Sequence, residues 1–338
     1  MAPNFAKAAF RALCVWGLSL AFHAAWAGPS GFVYTANERD GSISEVQLHS
    51  GQVRTVKVDI APHNVQVSPD GSTLLAVGVS AHGSHHVASS SGQLLLLNLA
   101  DLAAPPVTVP AGEHPAHVVT DATGERAFVS DSGTNVVRVI DLRQRAEQAQ
   151  IPTGDYPHGL RLSPDGRTLY VANMKGGTVS VIDVVTLKET RRIPVGLGPV
   201  QVGFSADGKQ AYVALSRENR LGLIDTAKQQ LIGKVGVGRT PIQMMVAGDG
   251  AVYVANQGSA QKPSDQVSVI EPSKAKVVKT LATSQGAHGV AASADGAYVF
   301  VTNIEAGTLS VIDAVSRKVI AHHTVGAGPN GVSYTPTR

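Results

Sequence analysis

The chain has 338 residues with 28 Lys and Arg against 25 Asp and Glu, and 16% of its residues are charged. A balance this close to neutral gives no bulk attraction to nucleic acid or anionic lipid. Its one cysteine, Cys14, excludes disulfides, thiolate metal sites and the C-x-x-C-H attachment of c-type haem.

The first 27 residues read as a signal peptide. Lys7 and Arg11 form a positive start, "ALCVWGLSLAF" is an apolar run too short to span a bilayer, and "AAWA" ends in a small-x-small cleavage pattern after Ala27. The expected product is residues 28–338, periplasmic or secreted, with 26 basic and 25 acidic residues, no cysteine and no later transmembrane segment.

After this segment the chain repeats itself. Phrases such as "PHNVQVSPDG", "PHGLRLSPDG" and "AHGVAASADG" return with first residues at Pro62, Pro115, Pro157, Pro199, Pro241, Ala287 and Pro329, spaced 53, 42, 42, 42, 46 and 42 residues apart. Within one period, "GLRLS" alternates, "PDG" turns, "TLYVAN" is rich in β-formers, "KGG" turns, "TVSVID" alternates, and "ETRRIPVG" makes a fourth strand. Nothing carries a helical period. Four strands in about 42 residues is the size of a propeller blade. The last phrase, "PNGVSYTP", is a first strand without a second. The start, "GFVYTANERDGSISEVQL", supplies a second and third strand without a first. Pairing the two ends makes an all-β, seven-bladed β-propeller spanning residues 28–338 and leaves no open edge.

"LYVAN", "VYVAN" and "FVTN", each followed by a turn and then "VSVID", "VSVIE" or "LSVID", resemble the YVTN-repeat family of exported seven-bladed β-propellers. The resemblance covers the mature chain and implies the fold. It leaves function open, since such propellers include surface-layer proteins, binding proteins, lactonase-like enzymes and haem carriers.

Topology suggests where chemistry gathers. The repeated phrase opens the innermost strand of each blade, so His63, His158 and His288 are expected at one mouth of the central channel, with Asn330 at the equivalent place in the seventh blade. His117 falls one residue later in its phrase and is expected on the other side of its strand. Two insertions account for the longer spacings: "SAHGSHHVASSSG", with His82, His85 and His86, and "GSAQKPSD". Both join second to third strands and belong to the histidine face. His63, His82, His85, His86, His158 and His288 are therefore the candidate metal ligands, for zinc, copper or nickel, or for an axial position of non-covalent haem. Arg161, deeper along its channel strand, is a candidate for holding an anionic group. The ligand-binding set at the mouth is His63, His117, His158, Arg161, His288 and Asn330.

Asn37, Asn173, Asn256 and Asn303 end second strands and read as turn-stabilising. Asp141, Asp183, Asp225, Glu271 and Asp313 end third strands on the opposite face and read as structural. No G-x-S-x-G, H-E-x-x-H or P-loop occurs. The sequence thus points to a monomeric, exported binding protein or scaffold that holds a small molecule or protein partner at its channel mouth. The alternative is a metal or haem carrier, or a lactonase- or lyase-like enzyme, using the same mouth.

Overall fold

The computed structural model describes Met1 and residues 28–80 and 91–336. The segment 2–27, and with it the expected cleavage site, lies outside the described residues, as do His82, His85 and His86. The strands form seven four-stranded antiparallel sheets, each one blade. Six blades are consecutive in the chain. The seventh pairs Pro329–Thr335 with Phe32–Asn37, followed by Ser42–Gln47 and Val53–Lys57, so the two ends close the ring as expected. No helix among the described residues is long and apolar enough to cross a membrane.

The alternation along each strand explains why runs such as "LYVAN" are almost wholly apolar. In a propeller both faces of a blade are covered, so both sets of alternating side chains are buried. Along Phe32–Asn37, Val33 packs with Phe300, Leu309 and Val311 of the sixth blade, while Tyr34 and Ala36 pack with Leu74, Ala76 and Leu95 of the first. Seven apolar clusters result, one at each junction between neighbouring blades. The core is a ring of seven interfaces rather than one centre. Each fully buried Leu, Ile, Val or Phe contributes about 1.5–3 kcal/mol to its interface.

Turn chemistry repeats with the blades. In "SPDG", Ser163 Oγ donates to Asp165 Oδ1 at 2.6 Å, and Gly166, at φ +69°, returns its N–H to the Ser163 carbonyl at 2.9 Å. Asp183 accepts from the N–H groups of Val185 and Thr186, and Asp141, Asp225 and Asp313 each accept an N–H three residues on. Asn173 and Asn303 clamp second strand to third through Ser180 and Ser310, each at 2.9 Å. These residues do the structural work their positions suggest. The insertion at 258–265 is an extension of the hairpin between Val252–Ser259 and Lys262–Glu271. The other insertion leaves the described region at Ser80 and re-enters it at Ser91.

Candidate functional site at the channel mouth

Every inner strand carries a β-bulge just after the first residue of the repeated phrase. In the third blade Pro157 pairs with Asn173 but Leu160 pairs with Val171, so His158 and Gly159 together oppose Ala172. The second blade does the same, with Ala116 and His117 opposite Ser130. A bulge re-aims side chains, because two successive residues share one place in the ladder. Strict alternation therefore fails at this point, and the expectation that His117 turns away from the other imidazoles is wrong. Its ring centroid lies 4.9 Å from that of His158 and 5.7 Å from that of His63.

The two bulge positions are used in a complementary way. Where the second phrase residue is large and polar, as at His158, His288 and Asn330, the third is Gly159, Gly289 or Gly331. Where the second is Ala116, Val200 or Ile242, the third is His117, Gln201 or Gln243. Only the first blade carries two polar residues, His63 and Asn64. Each blade thus sends at least one imidazole or amide toward the axis. A Cβ on Gly159 would sit 2.5 Å from the Val200 carbonyl oxygen and 2.3 Å from Gln201 Oε1, which is why that position is bare.

His63, His117 and His158 converge. One ring nitrogen from each lies within 4.8 Å of the others. His63 Nε2 and His158 Nε2 are 3.3 Å apart. The far sides of the rings are held by neighbours. His158 Nδ1 donates to the Val200 carbonyl at 3.1 Å, which leaves Nε2 as the bare nitrogen of the neutral ring. His63 Nδ1 faces Glu38 Oε1 at 3.3 Å and the Asn330 amide nitrogen at 3.1 Å, and that amide donates to Glu38 Oε2 at 2.6 Å. His117 Nδ1 is 3.5 Å from Gln201 Nε2, while its Nε2 is buried without a partner.

Burial governs the charges. It pushes His158 down to about 3 and His288 down to about 4, with the neighbouring His63 adding to both shifts, and it takes His117 well below the usual imidazole value. For Glu38, burial alone would raise the carboxyl. The hydrogen bond and charge of His63, with the Asn330 amide, override it and hold Glu38 at about 2. The buried rings of His117, His158 and His288 are therefore held neutral near a firmly ionised Glu38.

The other candidates fall into place around this trio. His288, expected among the ligands, stands outside the convergent group and donates Nδ1 to the Asn330 carbonyl at 3.2 Å, the bond His158 makes to the next blade. Asn330 acts through His63 and Glu38. Arg161 lies deeper, on the wall of the channel. A mouth pocket of about 220 Å³, lined by Glu38, His63, His114, Tyr156 and His158, opens above the imidazoles. A second cavity of about 140 Å³, lined by His117, Arg161, Gln66 and Gln243, lies beyond them. The histidines form a partition between the two spaces. Glu38 was not among the sequence candidates: it sits on a short 3-10 turn, Glu38–Asp40, after a second strand, and packing of the closing blade on the first carries it to His63.

Solved structures share the fold. The chain is 21% identical to hydrazine synthase of Kuenenia stuttgartiensis (TM-score 0.69), covering 83% of this chain and 92% of that one. It is 18% identical to a functionally unknown protein from Desulfotomaculum acetoxidans (TM-score 0.74), covering 91% of this chain and 100% of that one. The periplasmic gluconolactonase PpgL of Pseudomonas aeruginosa is also 18% identical (TM-score 0.71), with 90% and 99% covered. At these identities the likeness is one of architecture. No curated protein matches the chain. The YNCE-like beta-propeller family matches residues 76–251, half of the chain and four of its seven inner strands, and the protein belongs to that family.

Proposed function

We propose that this propeller is an exported binding protein that holds one divalent transition-metal ion at its channel mouth, through His63, His117 and His158. The observation that carries the reading is the convergence of three imidazole nitrogens within 4.8 Å. Two nitrogens bound to a tetrahedral zinc at about 2.0–2.1 Å sit about 3.3 Å apart, and the His63–His158 separation is 3.3 Å. A shift of the buried His117 ring brings in the third ligand. Its proton would then sit on Nδ1, facing a Gln201 amide whose oxygen accepts the Val202 N–H at 2.9 Å and would have to turn from it. The partners behind the rings, a carboxylate and a backbone carbonyl, are those that orient metal-bound imidazoles and raise their basicity. An open fourth position facing the mouth pocket would admit water or a ligand.

Imidazole without thiolate suits zinc, copper and nickel. Convergence on a point, beside a pocket of about 220 Å³, favours an ion over a haem, which needs a planar slot. The pattern of Lys7, Arg11 and the small residues before Gly28 supports export, which mass spectrometry of the N-terminus from a periplasmic fraction would test by finding Gly28 first.

The test of the metal reading is calorimetry of the chelator-stripped protein with zinc, copper and nickel. One site of micromolar affinity or tighter, lost in the triple variant H63A/H117A/H158A while its metal-free melting stays cooperative, supports the reading. No saturable site with any of the three ions overturns it. Binding that survives the triple variant but disappears on replacing His82, His85 and His86 would assign the metal to the inserted loop instead.

A further inference from the structure

The cavity beyond the histidine partition carries a separate feature. Its wall includes Arg161, Gln66, Gln243, Asn64, His117 and Ser333, and no Asp or Glu. Arg161 pairs with Tyr170 in the strand ladder, on the channel side of the third blade. Its guanidinium makes no ion pair or hydrogen bond with any described residue, and loss of hydration lowers its pKa. Other arginines that lie partly buried here face a carboxylate, as Arg126, Arg138 and Arg317 do. Arg161 is half-buried, and a cation that gives up hydration without a partner is costly to keep unless something compensates it.

A second orphan faces the same space. Gln243 is 3% exposed; its Oε1 accepts the Val290 N–H at 3.4 Å, and its Nε2 is buried with no partner. His117 Nε2, also buried and partnerless, borders the cavity from the partition. The Arg161 guanidinium and the Gln243 amide N–H thus border a partly open space of about 140 Å³ that has room for a small organic anion. The guanidinium fork matches the two oxygens of a planar carboxylate, and a primary amide N–H can cap one of them.

We propose that this channel cavity is a binding site for a compact carboxylate, held by Arg161 and Gln243. The charge count selects a monoanion, since one guanidinium neutralises one negative charge and no other cation lines the wall. A dianion would keep an uncompensated charge among Val118, Leu160, Val290 and Val332. The site is independent of the metal reading, because its two holding residues belong to neither the imidazole trio nor its outer partners.

The experiment uses the full mature chain, chelator-stripped, with acetate, formate and sulfate as probes and chloride as the ionic-strength control. Thermal melting should rise saturably with acetate or formate and follow the logarithm of ligand concentration above the dissociation constant. Chloride should give no such curve, and sulfate should need a higher concentration than the carboxylates. In Arg161→Met the saturable rise should vanish, while anion-free melting stays level or increases because an unpaired charge has been removed. Arg161→Lys, which keeps the charge but loses the fork, should weaken binding about tenfold, and Gln243→Leu should weaken it as well. The double variant H63A/H158A should keep the carboxylate response whether or not the native protein binds metal. A response that persists unchanged in Arg161→Met, a response equal for chloride, or tighter binding of sulfate than of either carboxylate overturns the proposal.

Discussion

His158 and Val200, 42 residues apart in the chain, are joined by an Nδ1–H bond to a carbonyl at 3.1 Å that crosses from the third blade to the fourth. His288 repeats the bond to Asn330, again 42 residues on, from the sixth blade to the seventh. One residue position thus serves two ends. Its Nδ1 ties neighbouring blades together around the axis, and its Nε2 is left for whatever occupies the channel. The histidines that recur with the repeat are structural on one edge of the ring and available on the other.

The first prediction separates the ligands from the look-alike. His117→Ala should reduce zinc affinity by more than the ~10–100-fold that an outer-sphere partner controls, whereas His288→Ala should change it only a few-fold. Calorimetry on the two single variants decides the matter. Equal losses would mean that His288, and not the His117 reached through its bulge, completes the site.

The fold was legible because its signals are redundant: seven phrases, six "S-x-D-G"-like turns or their variants, and complementary ends all require the same ring. Pairing Pro329–Thr335 with Phe32–Asn37 follows from the strand count alone. The site was only half legible. His63 and His158 could be placed from the repeat, but His117 could not, because a bulge is a local departure from alternation and the pairing that defines it spans two strands. A signal existed nonetheless: Gly159, Gly289 and Gly331 follow the large polar residues, while Ala116, Val200 and Ile242 precede them. That reciprocity marks two positions competing for one space. Glu38 lay further out of reach, since its contact with His63 depends on how tightly the closing blade meets the first.

Ring closure has its own consequence. Tyr334 on the last strand stacks on Phe300 of the sixth blade at 5.3 Å, and Ser333 accepts the Val67 N–H of the first blade at 3.0 Å. Deleting residues 330–336 should remove both links and expose the Phe32–Asn37 edge. Calorimetric melting should lose its single cooperative transition, or the protein should aggregate. An unchanged melting curve in a monomeric deletion variant would contradict the closure.

Acid should weaken the metal-free protein in a defined window. The folded His288 titrates at about 4, below the ordinary imidazole value of 6.5, so between these pH values the unfolded chain takes up a proton that the folded one refuses. Stability is therefore full above pH 6.5 and falls as the pH drops toward 4, by on the order of 3 kcal/mol from this one residue. His288→Leu should flatten that part of the urea-denaturation profile. His158, held at about 3, should extend the decline to lower pH in both proteins. An identical slope in the variant would mean that the folded ring accepts its proton freely.

Gly159 offers the sharpest test of how the second position is held. It neither ligates nor contacts the mouth pocket, but an added methyl would sit 2.5 Å from the Val200 carbonyl oxygen that fixes His158. That oxygen is backbone and cannot rotate away, so Gly159→Ala must separate the third and fourth blades locally. Overpacking of this kind costs about 1–3 kcal/mol. The displaced carbonyl should also free His158 Nδ1, and zinc affinity should fall by about 10–100-fold, the range for an outer-sphere partner. Gly166→Ala is the control. Its added Cβ meets nothing within 4 Å, so it should lose stability through its φ of +69° and leave zinc binding intact. If both alanine variants bind zinc as tightly as the native protein, the bond from His158 to Val200 does not position the metal ligand.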